Sequence, residues 1–393
     1  MKTNTRIDFN NLEIAFKDKS TKELREAYVL FKTMNNPFLV KMGKALVNIA
    51  FSLRIPINWI IKNTIYKYFV GGSDIEDSKK TIEKLSEKNV KTILDFAAEG
   101  ELKEEFFDNT CSEVIKTTEL AKDNKDIPFS AFKITGLGRF DLMVKVSEKA
   151  ELSQEEIEEF EKIKLRVDSI FQKAKENSVP VLVDAEHSWI QPMLDELVMN
   201  NMMKYNTEKA IVQNTYQMYK HESLSKIKEH HKLSLDKGFK YGLKIVRGAY
   251  MEIERERAKN LNYPSPIQED KTATDRDFDD AIRYFVENVE TIDFMIATHN
   301  EESSILLAEL MDKHNLPKDH PSIYFSQLYG MSDHITNNIA NLGYNVAKYV
   351  PYGQVKTMMP YLFRRAEENT SVKGQSSREL GLIRTEIKRR EED

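Results

Sequence analysis

The stretch SQEEIEEFEKIKLRVDSIFQKAKENSVPVLVDAE, residues 153–186, decides the fold. Its first part sets Ile157, Phe160, Ile163, Val167, Ile170 and Phe171 on one face of a 3.6-residue period, which predicts an amphipathic helix. Its last part, PVLVDAE (180–186), is a short aliphatic run closed by acids, which predicts a buried strand.

The same rhythm runs through the chain from residue 90 onward. The other strand-like runs are TILDFA (92–97), PFSAFKITGL (128–137), AIVQNTY (210–216), GLKIVRGAY (242–250), DFMIATHN (293–300), SIYFSQLYG (322–330) and YNVAKYVPYG (344–353). Helical patterns such as DRDFDDAIRYFVENVE (275–290) and ESSILLAELMDKH (302–314) lie between them. Strands alternating with helices form parallel βαβ units, and eight such units predict an α/β protein, a (β/α)8 TIM-type barrel, regular or distorted. The rival is an open dinucleotide-binding sheet, which needs G-x-G-x-x-G after a strand. The nearest match, GLG at 136–138, lacks the third glycine, and no P-loop is present. The division expected is an N-terminal helical arm (1–90), the barrel (91–372) and a C-terminal helical tail (373–393).

Composition narrows the class. The 393 residues are 40% hydrophobic and 31% charged, as in a soluble globular chain. A net charge of -5 gives no general attraction to nucleic acid. The single cysteine, Cys111, excludes an internal disulfide framework and a cysteine zinc cluster. The first twenty residues carry Asp8, Glu13 and Asp18 and no apolar run, unlike a transit or secretory leader, so a cytoplasmic location is expected. Residues 31–70 differ from the rest. They hold Lys32, Lys41, Lys44, Arg54, Lys62 and Lys67, no acid, and many large apolar side chains including Phe38, Leu46, Ile49, Leu53 and Trp59. Two readings fit: an arm packed on the barrel, or a basic amphipathic surface that visits anionic lipid peripherally at the inner membrane face.

In a (β/α)8 barrel the active site forms at the C-terminal ends of the strands. The polar residues there are Glu99, Lys133, Asp184, Gln213, Lys244 with Arg247 and Tyr250, Thr298 with His299, Gln327, and Tyr349. No metal site is expected, since His187, His299, His320 and His334 are scattered without ligand spacing. His230 and His231 stand in a mostly polar segment and read as solvated. A nucleophilic serine elbow is absent. The most informative helix is VKTMMPYLFRRAEEN (355–369). Arg364 and Arg365 point about 100° apart on a helix, close enough to flank one small anion. Glu368 and Asn369 follow them at i+4 and can steady the guanidinium groups. Read alone, the pair is either a solvated salt-bridge face or a bidentate carboxylate clamp.

Together these segments resemble the proline dehydrogenases. The motifs that carry the resemblance are Lys133-Ile134-Thr135, Asp184-Ala185-Glu186, Val212-Gln213-Asn214-Thr215-Tyr216, Lys244 through Tyr250, Ala297-Thr298-His299-Asn300, Gln327 through Met331, Tyr349 through Gly353, and Arg364 through Asn369. They occur in the family's order over roughly residues 90–370. The resemblance implies a barrel that binds FAD without a Rossmann domain and oxidises L-proline to 1-pyrroline-5-carboxylate, with electrons passed to a membrane quinone. It implies that Lys133, Arg364 and Arg365 bind the substrate carboxylate, and that Tyr250, Leu328 and Tyr349 pack around the ring. Asp184 would organise the site. Gln213, Lys244, Arg247, Gly248, Ala249, Thr298, His299 and Glu368 would contact FAD, and Glu99 could pair with Arg364 as a gate. Lys244 departs from the arginine of many bacterial members; it keeps the charge near the flavin's reactive edge and loses the planar fork. Two other functions are weighed: a hydroxyproline dehydrogenase, disfavoured because Tyr349 would crowd a C4 hydroxyl, and a non-catalytic barrel that docks on membranes.

Overall fold

The computed structural model describes residues 7–96, 103–371 and 375–392, and for residues 368–371 and 375–377 the backbone alone. Eight parallel strands close a barrel in sequence order: β1 (Lys91–Phe96), β2 (Phe129–Phe132), β3 (Val181–Val183), β4 (Val212–Gln217), β5 (Tyr241–Val246), β6 (Ile292–Ala297), β7 (Ile323–Leu328) and β8 (Val346–Tyr352). β8 closes on β1 with Ile93 opposite Tyr349. The fold is the (β/α)8 barrel that the rhythm predicts.

The period of two sends alternate side chains inward. Ile93, Phe129, Leu182, Met295 and Ala347 fill the lower interior. The outward-facing residues pack under the helices in one large core that holds Val181, Val183, Ile245 and Phe325. Each such fully buried aliphatic or aromatic side chain contributes about 1.5–3 kcal/mol. The deciding stretch folds as read: the helix Gln154–Asn177 buries Ile163, Val167, Ile170 and Phe171, and its first turn leaves Ile157 exposed. Ser153 caps that helix in a reciprocal box with Glu156, which satisfies two of its orphan donors.

Two expectations are corrected. The run 128–137 is not a single strand; β2 stops before Lys133 and the chain turns through a short helix at Ile134–Gly136. Glu186 causes the turn by accepting hydrogen bonds from the Thr135 amide at 3.1 Å and its hydroxyl at 2.6 Å. His230 and His231 are not solvated. His231 is buried between the Tyr284 hydroxyl at 2.7 Å and Thr291 at 2.9 Å, and the half-buried His230 meets Tyr216 at 2.6 Å. Burial holds both imidazoles below the usual histidine range.

The helices Leu12–Phe16, Thr21–Met34 and Pro37–Ser52 lead the chain, and the helices Val355–Ser371 and Gln375–Glu392 end it. Phe16, Leu24, Phe31 and Phe69 share a second apolar core with Met358, Leu362, Leu382 and Ile383, so the two ends of the chain interlock on the barrel. Among the described residues no helix is long and apolar enough to cross a membrane.

Candidate active site

The upper barrel interior is ionic where such barrels usually carry branched hydrophobics. Asp184 stands just past β3. Its carboxylate accepts from Lys244 Nζ at 2.5 Å and from the Tyr349 hydroxyl at 2.7 Å, and Lys133 Nζ lies 3.5 Å away. Lys133 also lies 3.7 Å from Asp95 on β1. Lys244 and Asp95 are 3% and 2% exposed. Burial opposes ionisation of Asp184, but Lys244, Lys133 and the two hydrogen bonds hold its carboxyl below the ordinary carboxylate range. Lys244 also rides over the Tyr349 ring at 4.6 Å. Burial, then the charges of Asp184 and Asp95, keep the Tyr349 hydroxyl well above its usual range, so it stays protonated and donates.

The end of β5 gives a second cation. Arg247 is fixed by Asp275 at 2.7 Å, the Thr298 hydroxyl at 2.6 Å and Ser303 at 3.0 Å, and it stacks over Phe278. Gly248 follows with φ +137, a backbone that only glycine adopts readily, and its neighbour Ala249 donates weakly to Gln217. Tyr250 lies 4.3 Å from the His187 ring. His299 is held through Nδ1 by Ser332 at 2.9 Å. Burial, then the nearby charges of Lys348, Arg365 and Arg247, pushes its pKa down to about 3, so the ring is neutral. Gln213 is buried on β4 and donates to the Ala210 carbonyl at 3.1 Å. Leu328 ends β7 beside the second core. Gln327 on the same strand turns outward to Thr336.

The Val355–Ser371 helix brings Arg364, half-buried, and Arg365, 7% exposed with its guanidinium over the Tyr361 ring. A solvated salt-bridge face does not describe Arg365. Val355, Met358, Met359 and Leu362 of this helix pack in the second core with Leu328 at the end of β7, which sets the helix at the barrel mouth. Glu99 lies outside the described residues, as does the side chain of Glu368.

The proline dehydrogenase family model matches residues 78–378. This chain belongs to that family. It is 32% identical to proline dehydrogenase 1, mitochondrial, of Dictyostelium discoideum, over 98% of this chain and 76% of the relative. It is 30% identical to the hydroxyproline dehydrogenase of Xenopus laevis, over 95% of this chain and 88% of that one. Among solved structures, proline utilization A from Bdellovibrio bacteriovorus, inactivated by N-propargylglycine, superposes with a TM-score of 0.71 at 21% identity over 92% of this chain. This chain spans 38% of that structure's length, and the likeness shows the fold.

Two residues at the strand-end cluster and its loops are not marked by any motif. Asp95 shares the inward face of β1 with Ile93, and an acid mid-strand in a buried run is its one sequence signal. Glu254 is wholly buried and grips Ser188 through its amide at 2.6 Å and its hydroxyl at 2.5 Å, steadying the β3 loop that carries His187. Nothing local in the sequence marks Glu254.

Proposed function

We propose that the chain oxidises L-proline to 1-pyrroline-5-carboxylate with FAD as its cofactor and a membrane quinone as the electron acceptor. Family membership supports an oxidoreductase of proline catabolism. The single observation that carries the residue-level reading is the Asp184–Lys244–Lys133–Tyr349 cluster at the barrel mouth. Two carboxylates there, Asp95 and Asp184, balance two ammonium groups. We assign the substrate carboxylate to Arg364 and Arg365 on the Val355–Ser371 helix, whose planar forks suit a carboxylate, with Lys133 at the edge of the same cluster. Cations around the bound carboxylate also favour the neutral substrate amine over the ammonium.

The residues fit FAD. Lys244 and Arg247 leave one strand end and suit an electron-rich ring and a phosphate, and Gly248 presents backbone where a side chain would stand. Thr215 Oγ1 and Ser326 Oγ are buried without a partner among the described residues, as donors awaiting a polar group would be. Gln213, Ala249, Thr298, His299 and Glu368 complete the contacts that we assign to it, with Glu99 as a gate over Arg364. When bound, FAD supplies the hydride acceptor. The protein fixes the ring through Tyr250, Leu328 and Tyr349, and Asp184 holds Lys244 and Tyr349 in place.

The purified protein should be yellow, and L-proline should bleach it without oxygen. 4-Hydroxyproline should bleach it at least about tenfold more slowly, because Tyr349 would crowd the C4 hydroxyl. A colourless protein that takes up no FAD, or equal rates on both substrates, would overturn the respective reading.

Contact with the membrane, for a chain that otherwise stays in the cytoplasm, is supported by one surface. Phe38, Met42, Leu46 and Ile49 form an exposed stripe on the Pro37–Ser52 helix, continued by its C-cap Leu53, and Trp59 beyond it is 74% exposed. Exposed Lys32, Lys41, Arg54 and Lys62 rim it. An apolar stripe edged by cations on a chain of net charge -5 suits an anionic lipid surface. Phosphatidylglycerol vesicles should sediment the protein, and pure phosphatidylcholine vesicles should not. The triple variant Phe38→Ser, Leu46→Ser, Trp59→Ser should lose at least about tenfold in vesicle affinity while still oxidising proline with a soluble dye. Unchanged sedimentation, or a stable dimer that hides the stripe, would refute the assignment.

A further inference from the structure

We propose that Glu379, on the C-terminal helix, is a positioning residue for cofactor binding: it seats the loop after β7 so that Ser332 holds the His299 ring. This rests on the reading of His299 as a flavin contact.

The loop Tyr329–Ser332 is strained. Gly330 has φ +78, and a Cβ there would stand 1.9 Å from the Tyr68 carbonyl oxygen. Ser332 adopts φ +54 although it carries a side chain, a conformation that persists only where its surroundings impose it. The surroundings are charged and buried. The Ser332 amide lies 3.1 Å and 3.3 Å from the two carboxylate oxygens of Glu379, itself 5% exposed. From the other side, Lys348 on β8 donates to the Leu328 carbonyl at 3.3 Å and to the Met331 carbonyl, and it pairs with Asp333 at 3.0 Å. Lys19 of the leading segment closes on Asp333. The titratable groups facing Glu379 are Asp333, Lys19, Lys348 and His334.

The seated loop then acts on the site. Ser332 Oγ meets His299 Nδ1 at 2.9 Å. In a neutral imidazole, the hydrogen bond at one nitrogen decides which nitrogen carries the proton, and so whether Nε2 donates or accepts. The final helix does not need Glu379 in order to dock. Arg390 reaches the Phe16 carbonyl at 2.8 Å, Arg378 reaches Glu301 at 2.9 Å, and Leu382 and Ile383 join the second core. The Glu379 carboxylate is thus spent on one backbone amide, and that amide belongs to the residue that orients His299.

The test uses the full chain. Glu379→Ala removes both acceptor oxygens, Glu379→Gln keeps one, and Ser332→Ala deletes only the hydroxyl. Histidine ring nitrogen shifts, recorded on flavin-free protein, should show one His299 tautomer in the wild type and Gln variant and a mixture in both alanine variants. FAD affinity should fall about tenfold in the two alanine variants, the size of one lost hydrogen bond that leaves a buried partner unsatisfied, and stay within about threefold in the Gln variant. If Glu379→Ala does not fold, Ser332→Ala decides alone. The inference is overturned if Ser332→Ala keeps wild-type affinity and ring shifts, or if Glu379→Gln is as weak as Glu379→Ala. Wild-type protein that binds no flavin, while its His299 shifts respond as described, would refute the proposed function and support the positioning role.

Discussion

Arg365→Ala should lower kcat/KM for proline by about 10²- to 10³-fold, or ~3–4 kcal/mol, while the protein keeps its flavin. The size follows from where the side chain sits. Arg365 is 7% exposed, stacked over Tyr361, and close enough to His299 to depress its pKa. A guanidinium already stripped of water binds a carboxylate without paying again for desolvation, and its planar fork can do so bidentately. Lys133 cannot substitute fully, because Asp184 and Asp95 already share its charge. Arg365→Lys should recover only part of the loss, since a point charge replaces the fork. The effect should fall mainly on KM if the clamp holds substrate and transition state alike, and on kcat if it also aligns C5. Steady-state kinetics with a dye acceptor, alongside FAD titration, separates the two. A kcat/KM within about threefold of wild type, well under 1 kcal/mol, would sink the clamp assignment.

The barrel was legible because its signal is local. Each strand is a short aliphatic run, each helix an apolar stripe, and the two periods alternate without interruption from β1 to β8. The polar residues of the cluster were legible for the same reason: Lys133 and Asp184 follow buried runs, Lys244 and Tyr349 interrupt them, and closure of the barrel brings the four together. What the pattern hides is partnership. Asp95 looks like an ordinary residue of TILDFA until β2 delivers Lys133 beside it. His231 reads as solvated because its neighbours in sequence are polar, yet its partners, Tyr284 and Thr291, come from more than fifty residues away. Glu379 belongs to a charged tail that carries none of the motifs, and its meaning lies wholly in the Ser332 amide. Local periodicity reports which face is buried; it does not report which charge the fold sets against it.

Asp184→Ala should be the more destructive change, because it removes the anion between the buried Lys244 and the half-buried Lys133. Lys244, 3% exposed, loses its 2.5 Å partner, Lys133 loses one of its two carboxylates, and the Tyr349 hydroxyl loses its acceptor. Stranding a buried charge in this way costs about 3–5 kcal/mol of stability, a large share of the ~5–15 kcal/mol that holds an ordinary domain. Asp184→Asn keeps the shape and an acceptor for Tyr349 but not the charge, so its cost should lie between wild type and alanine. The pH dependence carries the sign. The Asp184 carboxyl sits below its ordinary range, so its stabilisation is fully present above the unfolded value of about 4 and is lost as pH falls through the folded one. The gap in denaturant midpoint between wild type and Asp184→Asn should therefore be constant from pH 7 down to about pH 5 and narrow only below about pH 4. Proline turnover should collapse in Asp184→Ala, where neither Lys244 nor Tyr349 is held in place, and fall in Asp184→Asn, where Tyr349 keeps its acceptor but Lys244 loses its countercharge. If Asp184→Ala unfolds at the wild-type midpoint at pH 7, the cations have found other partners and Asp184 is not the keystone of the site.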